Sequence, residues 1–426
     1  MHKFSDFVDM KYRPVKNDLV CRFYVEPAPG IPLKVAAGII ASESSVGTWT
    51  KVKTQKHYVK EMAARVFSMK GSEIEIAYPA ELFEYGNVPQ ILSSVAGNVF
   101  GMKAIRNLRL EDISFPAPIV KSYKGPKYGI AGVRKLTKVR SRPLLGTIIK
   151  PKLGLNTKDH AEAAFNAWSG GCDLVKDDEN LTNQKFNPFE KRLSATLRAR
   201  DKAEKETGER KMYLPNVTAE TKEMLRRARF VRRKLGGEYV MIDILTCGFS
   251  ALQSLRAEGL NLVIHAHRAM HGAITRNEKH GISMLVLAKI ARLIGVDQLH
   301  IGTVVGKMEG RKSEVEEVED DIEMPFIGRS TGKSGHVLEQ DWCGIKPVFA
   351  VCSGGLHPVH VPRLMHMLGN NIIIQMGGGI HGHPEGTSAG AAATRQAIDA
   401  AMENKGLIEY AHMHSELRHA LEKWAI

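Results

Sequence analysis

The residues that follow the apolar run Cys172–Val175 bring a lysine next to carboxylates. Lys176 directly follows the run, and Asp177, Asp178 and Glu179 come next. Because side chains alternate along a strand, we expect Lys176 and Asp178 on one face, with the following turn bringing Glu179 beside them. Two carboxylates form part of a cage for a hard cation such as Mg2+. An ammonium group cannot bind a metal, but a lysine that has reacted with CO2 is a carbamate, which can. The simpler alternative is that Lys176 only neutralises charge.

Polar residues and glycines end several other short apolar runs of the chain. A single lysine or histidine at such a place is usually a solvated or core residue, but six ends of this kind form a pattern. Glycines have no Cβ, so their backbone can approach a ligand and present N–H groups to phosphate oxygens. The lysine within Gly306–Gly310 either closes over a substrate on a loop or lies in a static turn. These candidate residues are Lys150, Lys152, Lys176, Asp178, Glu179, His267, Arg268, His300, Lys307, Ser353, Gly354, Gly355, Gly377 and Gly378.

Eight short β-rich runs, alternating with amphipathic helical segments, are the elements that must position these residues. The runs are Leu144–Lys150, Asp173–Asp177, Met212–Val217, Tyr239–Leu245, Asn261–His267, Gln298–Val305, Pro347–Cys352 and Asn371–Met376. Eight strand-and-helix units over about 280 residues match a (β/α)8 barrel, whose chemistry lies at the C-terminal ends of its strands. A doubly wound open sheet is the alternative architecture.

The N-terminal part of the chain predicts a separate small domain. Two strand-like runs, Val20–Glu26 and Ser72–Tyr78, alternate with helical runs at Leu33–Ser42 and Pro89–Val99. This alternation indicates an α+β arrangement. The predicted fold class is therefore α/β: a small α+β (ferredoxin-like) domain at residues 1–125, then a (β/α)8 TIM barrel at residues 126–426 that includes the C-terminal helices.

Composition excludes several classes of protein. No apolar run reaches the roughly 18 residues that span a bilayer, and the N-terminus lacks the apolar core of a signal peptide, so we expect a cytoplasmic protein and no membrane partner. The five cysteines contain no CxxC pair, which disfavours zinc and disulfide frameworks. The net charge of +14 fits either nucleic-acid binding or a doubly phosphorylated substrate. The densest basic run, Arg226–Lys234, is expected to be a solvated helix face.

Several longer motifs occur in an order that points to one family. They are Gly146–Lys152, Gly171–Glu179, His267–His271 and Gly302–Gly310, with Glu43–Thr50 and Gly97–Gly101 in the small domain. These motifs resemble those of the large subunit of ribulose-1,5-bisphosphate carboxylase/oxygenase (RuBisCO). The first four resemble, in that order, its strand-one motif, its activation motif, its strand-five motif and its mobile loop six. The two in the small domain resemble the segments that complete a neighbouring subunit's site. The resemblance runs almost end to end and is closest to the archaeal form III group.

The resemblance implies an activation site and a set of proton-transfer residues. Lys176 would be carbamylated by an activator CO2 and would bind Mg2+ together with Asp178 and Glu179. Lys150 would transfer protons at enolisation and at the final carbanion, and Lys152 would support it.

The resemblance also implies how the substrate is held. His267 would act as an acid/base near the hydration step, Arg268 and His300 would hold one phosphate, Ser353 would contact the intermediate, and Lys307 would stabilise the new carboxylate. Backbone N–H groups would come from Gly354, Gly355, Gly377 and Gly378, with Gln375 close by. Residues acting across a dimer interface would be Glu43, Thr48, Trp49 and Asn98.

The activity implied is carboxylation of D-ribulose 1,5-bisphosphate by CO2 and water to two 3-phosphoglycerates, with O2 competing at the enediolate. The resemblance further implies a homodimer or a ring of dimers without small subunits, and a role in AMP and nucleoside salvage.

Three other functions stay open. A RuBisCO-like enolase or isomerase of a phosphorylated ketose would keep the Mg2+ site but lack carboxylation residues, whereas Lys150 and Lys307 are present here. A Schiff-base aldolase would also place a lysine such as Lys150 at a strand end. A nucleic-acid-binding protein would explain the positive charge, although we predict no nucleic-acid partner.

Overall fold

The computed structural model describes residues 4–48, 50, 52–303, 305, 312–329 and 337–424. Its strands are β1 Asp18–Pro27, β2 Arg65–Lys70, β3 Glu73–Pro79, β4 Ile105–Ser114, β5 Leu144–Ile148, β6 Leu174–Lys176, β7 Met212–Leu214, β8 Tyr239–Asp243, β9 Val263–His267, β10 Gly281–Ile282, β11 Gln298–Gly302, β12 Phe326–Ile327, β13 Gln340–Asp341, β14 Phe349–Ser353 and β15 Ile372–Met376.

The helices fall mostly between these strands and after the last of them. They are α1 Leu33–Glu43, α2 Val88–Val95, α3 Ala117–Lys121, α4 Gly129–Thr137, α5 Thr157–Ser169, α6 Phe189–Thr207, α7 Thr221–Leu235, α8 Ile244–Cys247, α9 Phe249–Ala257, α10 Gly272–Thr275, α11 Met284–Ile294, α12 Lys312–Glu323, α13 Val361–Leu368, α14 Gly378–His381, α15 Thr387–Met402, α16 Leu407–Ala411 and α17 Ser415–Trp424. Within the described ranges, no helix is both long enough and apolar enough to cross a membrane.

The chain divides into two compact units, and the first is built on a five-stranded sheet. This unit comprises residues 1–125, 270–294 and 324–345. Its strand order is β10-β4-β1-β3-β2, antiparallel except where the short β10 pairs parallel with β4. Side chains of β1 alternate between buried and half-buried, as expected for a sheet with one covered face. The predicted α+β class is confirmed, although β2 and β4 were not among the predicted strands.

The second unit, residues 126–269, 295–323 and 346–426, is built on eight parallel strands. Their order is β7-β6-β5-β15-β14-β11-β9-β8. A parallel bridge between Asn216 and Met241 joins the two ends of this order, next to β7 and β8, so the sheet closes into a barrel. All eight predicted strands are present, mostly shorter than predicted. The (β/α)8 prediction is confirmed and the open-sheet alternative is wrong.

The amino ends of the barrel strands are closed by apolar side chains. Leu144, Leu174 and Met212, at the starts of their strands, belong to one buried cluster with Ile130 and Val133 of α4. Helix α4 therefore covers this end of the barrel. The opposite end, where the strands finish, is left for polar side chains.

Candidate active site at the carboxyl ends of the barrel strands

The carboxyl ends of three neighbouring strands bring Lys150, Lys176 and Gly377 together. Strand β5 lies between β6 and β15 in the sheet, so the residues that follow these strands are neighbours. Lys150 Nζ lies 2.6 Å from Asp178 Oδ2. A Cβ on Gly377 would lie 2.9 Å from Lys150 Cε, so a larger residue there would displace the lysine. Two sequence-predicted regions, on strands one and eight of the barrel, thus meet at one point.

Lys176 is completely buried at the end of β6. Its Nζ donates to the backbone oxygen of Asp177 at 2.7 Å and lies 3.8 Å from Glu179 Oε2. Burial lowers the pKa of Lys176 below that of a free lysine, although Glu179 and Asp178 act in the opposite direction. A larger share of the amine is therefore neutral, which is the form that can react as a nucleophile.

Asp178 and Glu179 face the lysines of the site. Asn180 donates to Asp178 Oδ1 from both its backbone and its side-chain nitrogen, at 3.1 Å each. Burial raises the pKa of both carboxyls, but Lys150 in the first case and Lys176 in the second more than offset it, so both pKa values lie below the usual range. Both carboxylates are therefore ionised at neutral pH, as metal ligands must be.

Asp177 has a different environment from its two neighbours. It is fully buried, accepts from Arg192 Nε at 3.2 Å and from the Tyr213 hydroxyl at 2.5 Å, and also accepts from the backbone N–H of Asn216 at 3.0 Å. Asn216 Nδ2 in turn donates to the backbone oxygen of Glu179 at 3.0 Å. Asp177 therefore anchors the loop, and the other two carboxylates are the ones turned toward the lysines.

His267, at the end of β9, is oriented by a carboxylate that the sequence analysis did not select. Its Nδ1 lies 2.9 Å from Asp243 Oδ1, at the end of β8, and 3.2 Å from the backbone nitrogen of Ala269. The shorter contact with a carboxylate places the proton on Nδ1 and leaves Nε2 as the basic nitrogen. Nε2 lies 3.9 Å from Glu179 Oε2. Lys152 Nζ lies 3.7 Å from the other oxygen of the same carboxyl.

A second group of polar residues lies on β9, β11 and β14. His300 Nδ1 is 2.8 Å from Ser353 Oγ, and His300 Nε2 is 2.8 Å from His265 Nε2. His265 Nδ1 is 2.7 Å from Gln298 Oε1. Burial lowers the pKa of His265 to about 3 and the pKa of His300 well below its usual value, so both rings are neutral. Both nitrogens of His300 are engaged in this group, and its predicted phosphate contact stays a prediction.

Arg268 is packed against the end of β11. A Cβ on Gly302 would lie 2.5 Å from Arg268 Nη2, and Gly302 has a φ of +98°, so only glycine fits at this position. Burial lowers the pKa of Arg268 to about 10, and the guanidinium still carries its charge at neutral pH. Gly354 and Gly355, after β14, both have positive φ. Gln375 is buried on β15, with its Nε2 3.5 Å from the oxygen of Thr147.

The small-domain candidates fall in the first unit, where two of them pair. Asn98 Nδ2 donates to Glu43 Oε1 at 3.2 Å. The Thr48 hydroxyl donates to the backbone oxygen of Thr50. Trp49 and, in the barrel unit, Lys307 lie outside the described residues.

The side chains that could hold a cation are too few to form a complete set of metal ligands. In the described parts of the chain, no group of three His, Cys, Asp or Glu side chains is placed to hold a metal ion. Asp178 and Glu179 supply two carboxylates, and the remaining side chain between them is the buried Lys176. The donor set fits a hard cation only if this lysine becomes an oxygen ligand.

Two structural groups were missed by the sequence analysis. Asp243 could have been found, because it lies two residues before the end of a predicted strand, Tyr239–Leu245, and it ends the observed strand β8. His265 and Gln298 carried no such signal, since they lie within strands and lack a motif of their own. Their importance appears only when the barrel places β9 beside β11.

A buried lysine, two ionised carboxylates, a carboxylate-oriented histidine and a partly buried arginine thus meet at the catalytic end of a (β/α)8 barrel. This arrangement defines an enzyme of the barrel class whose site suits a charged, oxygen-rich substrate.

Comparison with known proteins identifies the family. Residues 129–424 match the family model of the ribulose bisphosphate carboxylase large chain, catalytic domain, and residues 6–119 match the model of its N-terminal domain. The chain therefore belongs to the ribulose bisphosphate carboxylase large-chain family.

Curated relatives and solved structures agree with this assignment. Ribulose bisphosphate carboxylase of Methanosarcina barkeri is 53% identical over 98% of this chain and 99% of its own length, and that of Methanocaldococcus jannaschii is 53% identical over 98% and 100%. Among solved structures, the dimeric archaeal Rubisco of Hyperthermus butylicus superposes with a TM-score of 0.93 at 47% identity, covering 99% of each chain. The octameric Rubisco of Pyrococcus horikoshii gives a TM-score of 0.91 at 48% identity, covering 99% of this chain and 96% of that one.

Proposed function

We propose that the chain catalyses the carboxylation of D-ribulose 1,5-bisphosphate by CO2 and water, giving two 3-phosphoglycerates, with O2 as a competing substrate. The observation that carries the proposal is the fully buried Lys176 with a lowered pKa beside the ionised Asp178 and Glu179. Family membership supplies the reaction.

The first step we propose is activation at Lys176. The neutral amine attacks the carbon of CO2, a C–N bond forms, and one proton is released, which leaves a carbamate. The carbamate oxygens complete the set begun by Asp178 and Glu179, so these three residues would hold Mg2+. When bound, the cation stabilises negative charge that develops on substrate oxygens.

We assign proton transfers to residues that touch this centre. Lys150, which lies 2.6 Å from Asp178 and against Gly377, is proposed to move protons during enolisation and at the final carbanion. His267 has its basic Nε2 turned toward Glu179 and is assigned to the hydration step. Lys152 supports Lys150 through its charge near Glu179. Lys307 is proposed to stabilise the new carboxylate.

The charged ends of the substrate would be held by one guanidinium and by backbone N–H groups. Arg268, which directly follows β9, is a partly buried cation that keeps its charge at neutral pH. The glycine positions, which allow close approach of the backbone, are Gly354, Gly355, Gly377 and Gly378. Gln375 is proposed to lie beside them, and Ser353 to contact the intermediate.

We further propose that two copies of the chain are needed. Glu43, Thr48, Trp49 and Asn98 would complete the site of a neighbouring copy, in a homodimer or a ring of dimers without small subunits. The similar Rubisco chains of known structure are described as dimeric in one case and octameric in the other. A cytoplasmic location and a role in AMP and nucleoside salvage stay predictions from the sequence.

The test is fixation of 14C-labelled CO2 onto ribulose bisphosphate by the purified full-length chain. We expect labelled 3-phosphoglycerate only with Mg2+ and after preincubation with CO2. A protein that exchanges the C3 proton of the substrate with solvent but fixes no label would instead be an enolase. Trapping of substrate on Lys150 by borohydride would indicate a Schiff-base aldolase and would overturn the proposal.

A further inference from the structure

Behind Ser353, three buried polar side chains form one hydrogen-bonded column. Gln298 Oε1 meets His265 Nδ1 at 2.7 Å, His265 Nε2 meets His300 Nε2 at 2.8 Å, and His300 Nδ1 meets Ser353 Oγ at 2.8 Å. Gln298 and His265 are completely buried, and His300 is 2% exposed. We call Gln298, His265 and His300 the histidine column. Of these three, only His300 was a candidate in the sequence.

The barrel geometry explains why the column forms. Gln298 and His265 are direct partners in the parallel pairing of β11 with β9. His300 is two residues after Gln298 on the same strand, so both side chains point to the same side of the sheet. The rings of His265 and His300 meet edge to face at 4.8 Å between centroids. Strand register therefore fixes the Gln298–His265 contact, and every residue of the column lies on a strand and not on a loop.

The contacts also fix where the protons lie. An amide oxygen can only accept a hydrogen bond, so Nδ1 of His265 must carry a proton. A neutral imidazole has one N–H, so Nε2 of His265 accepts and His300 donates from its own Nε2. His300 Nδ1 is then an acceptor, and the hydroxyl of Ser353 donates to it. Burial of both rings opposes a second proton on either one.

The orientation of one amide decides the direction of the whole column. The amide nitrogen of Gln298 faces the hydroxyl oxygen of Tyr239 at 3.5 Å. If the amide were reversed, Nε2 would donate to His265, every proton in the column would move to the other nitrogen, and His300 would donate to Ser353. The hydroxyl of Ser353 would then be free to donate outward.

We propose that Gln298 and His265 are positioning residues that make Ser353 a hydrogen-bond acceptor toward the substrate. The proposal rests on the proposed function, since it concerns how that site selects its ligand. With its own proton held by His300, the Ser353 oxygen favours a substrate hydroxyl at this point and disfavours a carbonyl or an alkoxide. Two residues that do not touch the substrate would thereby set which oxygen form the site binds.

Neutron diffraction from deuterium-exchanged crystals of the full chain tests the proton positions directly. We expect deuterium on Nδ1 of His265 and on Nε2 of His300, and none on the other nitrogen of either ring. Deuterium on His265 Nε2, or on both nitrogens of either ring, would overturn the proposal. This readout does not depend on catalysis. An inactive protein with the expected deuterium pattern would therefore contradict the proposed function but agree with the proton positions assigned to the histidine column.

A double-mutant cycle tests whether the column acts through Ser353. Gln298→Met removes the acceptor of His265, and we expect KM for ribulose bisphosphate to rise about tenfold, the effect of losing one hydrogen bond. In a Ser353→Ala background the same change should have little further effect on KM. An equal effect in both backgrounds would mean that Gln298 supports only the fold, contrary to the proposal.

Gln340 provides the matched control for this cycle. Gln340 lies in the first unit and is 1% exposed. Its amide oxygen accepts from the backbone N–H of Phe115, and its amide nitrogen donates to the backbone oxygen of Phe115. Gln340→Met also removes a buried amide, but it should leave the dependence of KM on Ser353 unchanged. A Gln340→Met protein with the same non-additive pattern as Gln298→Met would contradict a specific role for the column.

Discussion

Clusters of charged residues lie at the two ends of strand β6, and they differ in how completely their charges are paired. The base cluster, before and beside the strand starts, consists of Arg142, Asp173, Glu209, Lys211 and Arg395. The upper cluster, at the strand ends, consists of Lys150, Lys176, Asp178, Glu179 and His267. Each contains one buried lysine, Lys211 or Lys176, and one buried carboxylate, Asp173 or Asp178.

In the base cluster every charge has a close partner. The guanidinium of Arg142 donates two hydrogen bonds to the carboxylate of Asp173, at 2.7 and 2.8 Å. Lys211 Nζ lies 2.7 Å from Glu209 Oε2 and 3.0 Å from the oxygen of Cys172. These ions are held in one arrangement, which is typical of a structural role.

The upper cluster leaves its buried lysine without a close carboxylate. The nearest carboxylate oxygen to Lys176 Nζ is that of Glu179 at 3.8 Å, and the 2.7 Å contact is to a backbone oxygen. Incomplete pairing costs stability but leaves the amine able to react. The upper cluster therefore differs from the base cluster in how completely its charges are paired, and not in whether it contains charges.

The largest expected difference in CO2 fixation is between variants of the two buried lysines. Lys176→Met should lower CO2 fixation by about a thousandfold or more, because it removes the amine that we propose to form the metal-binding carbamate. Lys211→Met should keep fixation but lower the free energy of unfolding by about 1–3 kcal/mol, because it leaves the oxygen of Cys172 without its donor. Fixation assays and denaturant unfolding of both variants check this pair of results. Equal losses of activity would remove the distinction between the two clusters.

Two aspartates give the next largest contrast. Asp178→Asn should reduce fixation by about a hundredfold or more, since it removes one of the proposed anionic ligands of Mg2+, with little loss of stability. Asp173→Asn should lower the free energy of unfolding by about 3 kcal/mol, because it leaves the partly buried Arg142 without its buried counter-ion. Steady-state kinetics and urea unfolding measure the two effects. A stable, active Asp173→Asn protein would show that the base cluster is not structural.

Asp177 extends the comparison to the dependence of stability on pH. Although burial raises its pKa, Arg192 and the hydrogen bonds lower the net value below that of a free aspartate. Asp177 therefore contributes stability that is present above the unfolded pKa of about 3.9 and is lost as the pH falls toward the folded pKa. Unfolding midpoints measured from pH 6 to pH 3 should fall more steeply for the native chain than for Asp177→Asn. Parallel curves would contradict this role.

Activation should depend on pH in the direction set by Lys176. Its lowered pKa means that the neutral amine becomes available below the usual lysine pKa of about 10.4. The rate at which CO2 preincubation activates the enzyme should therefore rise with pH and reach half its maximum below that value. The progress of activation in buffered CO2 at constant Mg2+ measures this rate. A rate independent of pH would argue against attack by the amine.

The smallest effect is expected for Lys152. Its side chain is 60% exposed, and its Nζ lies 3.7 Å from Glu179, so solvent screens much of the interaction. Lys152→Ala should reduce kcat/KM by only about twofold to tenfold, with the free energy of unfolding unchanged. A loss as large as that of Lys176→Met would place Lys152 among the residues that perform the chemistry.

Much of the fold was predictable, because strand periodicity is a local property of the sequence. The eight barrel strands were found from short apolar runs, and Lys150, Lys176 and His267 were found because they end such runs. Strand β4, Ile105–Ser114, escaped because charged residues interrupt it, and strand β2, Arg65–Lys70, escaped because its apolar run between the two charged ends is short and contains Ser68. The partner of His267 and the histidine column depend on which strands become neighbours, and that information is not local.

The same limit applies to the three adjacent carboxylates. The sequence placed Asp177, Asp178 and Glu179 in one group, and strand alternation separated the first from the second. The sequence could not show that Arg192 and Tyr213 donate hydrogen bonds to the buried Asp177, because these two residues lie on a helix and a strand further along the chain. Their contacts explain why only two of the three carboxylates remain for the site.

The most direct test of the account is 13C NMR of the protein incubated with 13C-labelled CO2 and Mg2+. We predict one carbamate resonance per chain in the native protein and in Lys211→Met, and none in Lys176→Met. A carbamate that persists in Lys176→Met, or a native protein that fixes CO2 without any carbamate, would contradict the claim that the incompletely paired lysine is the activated one.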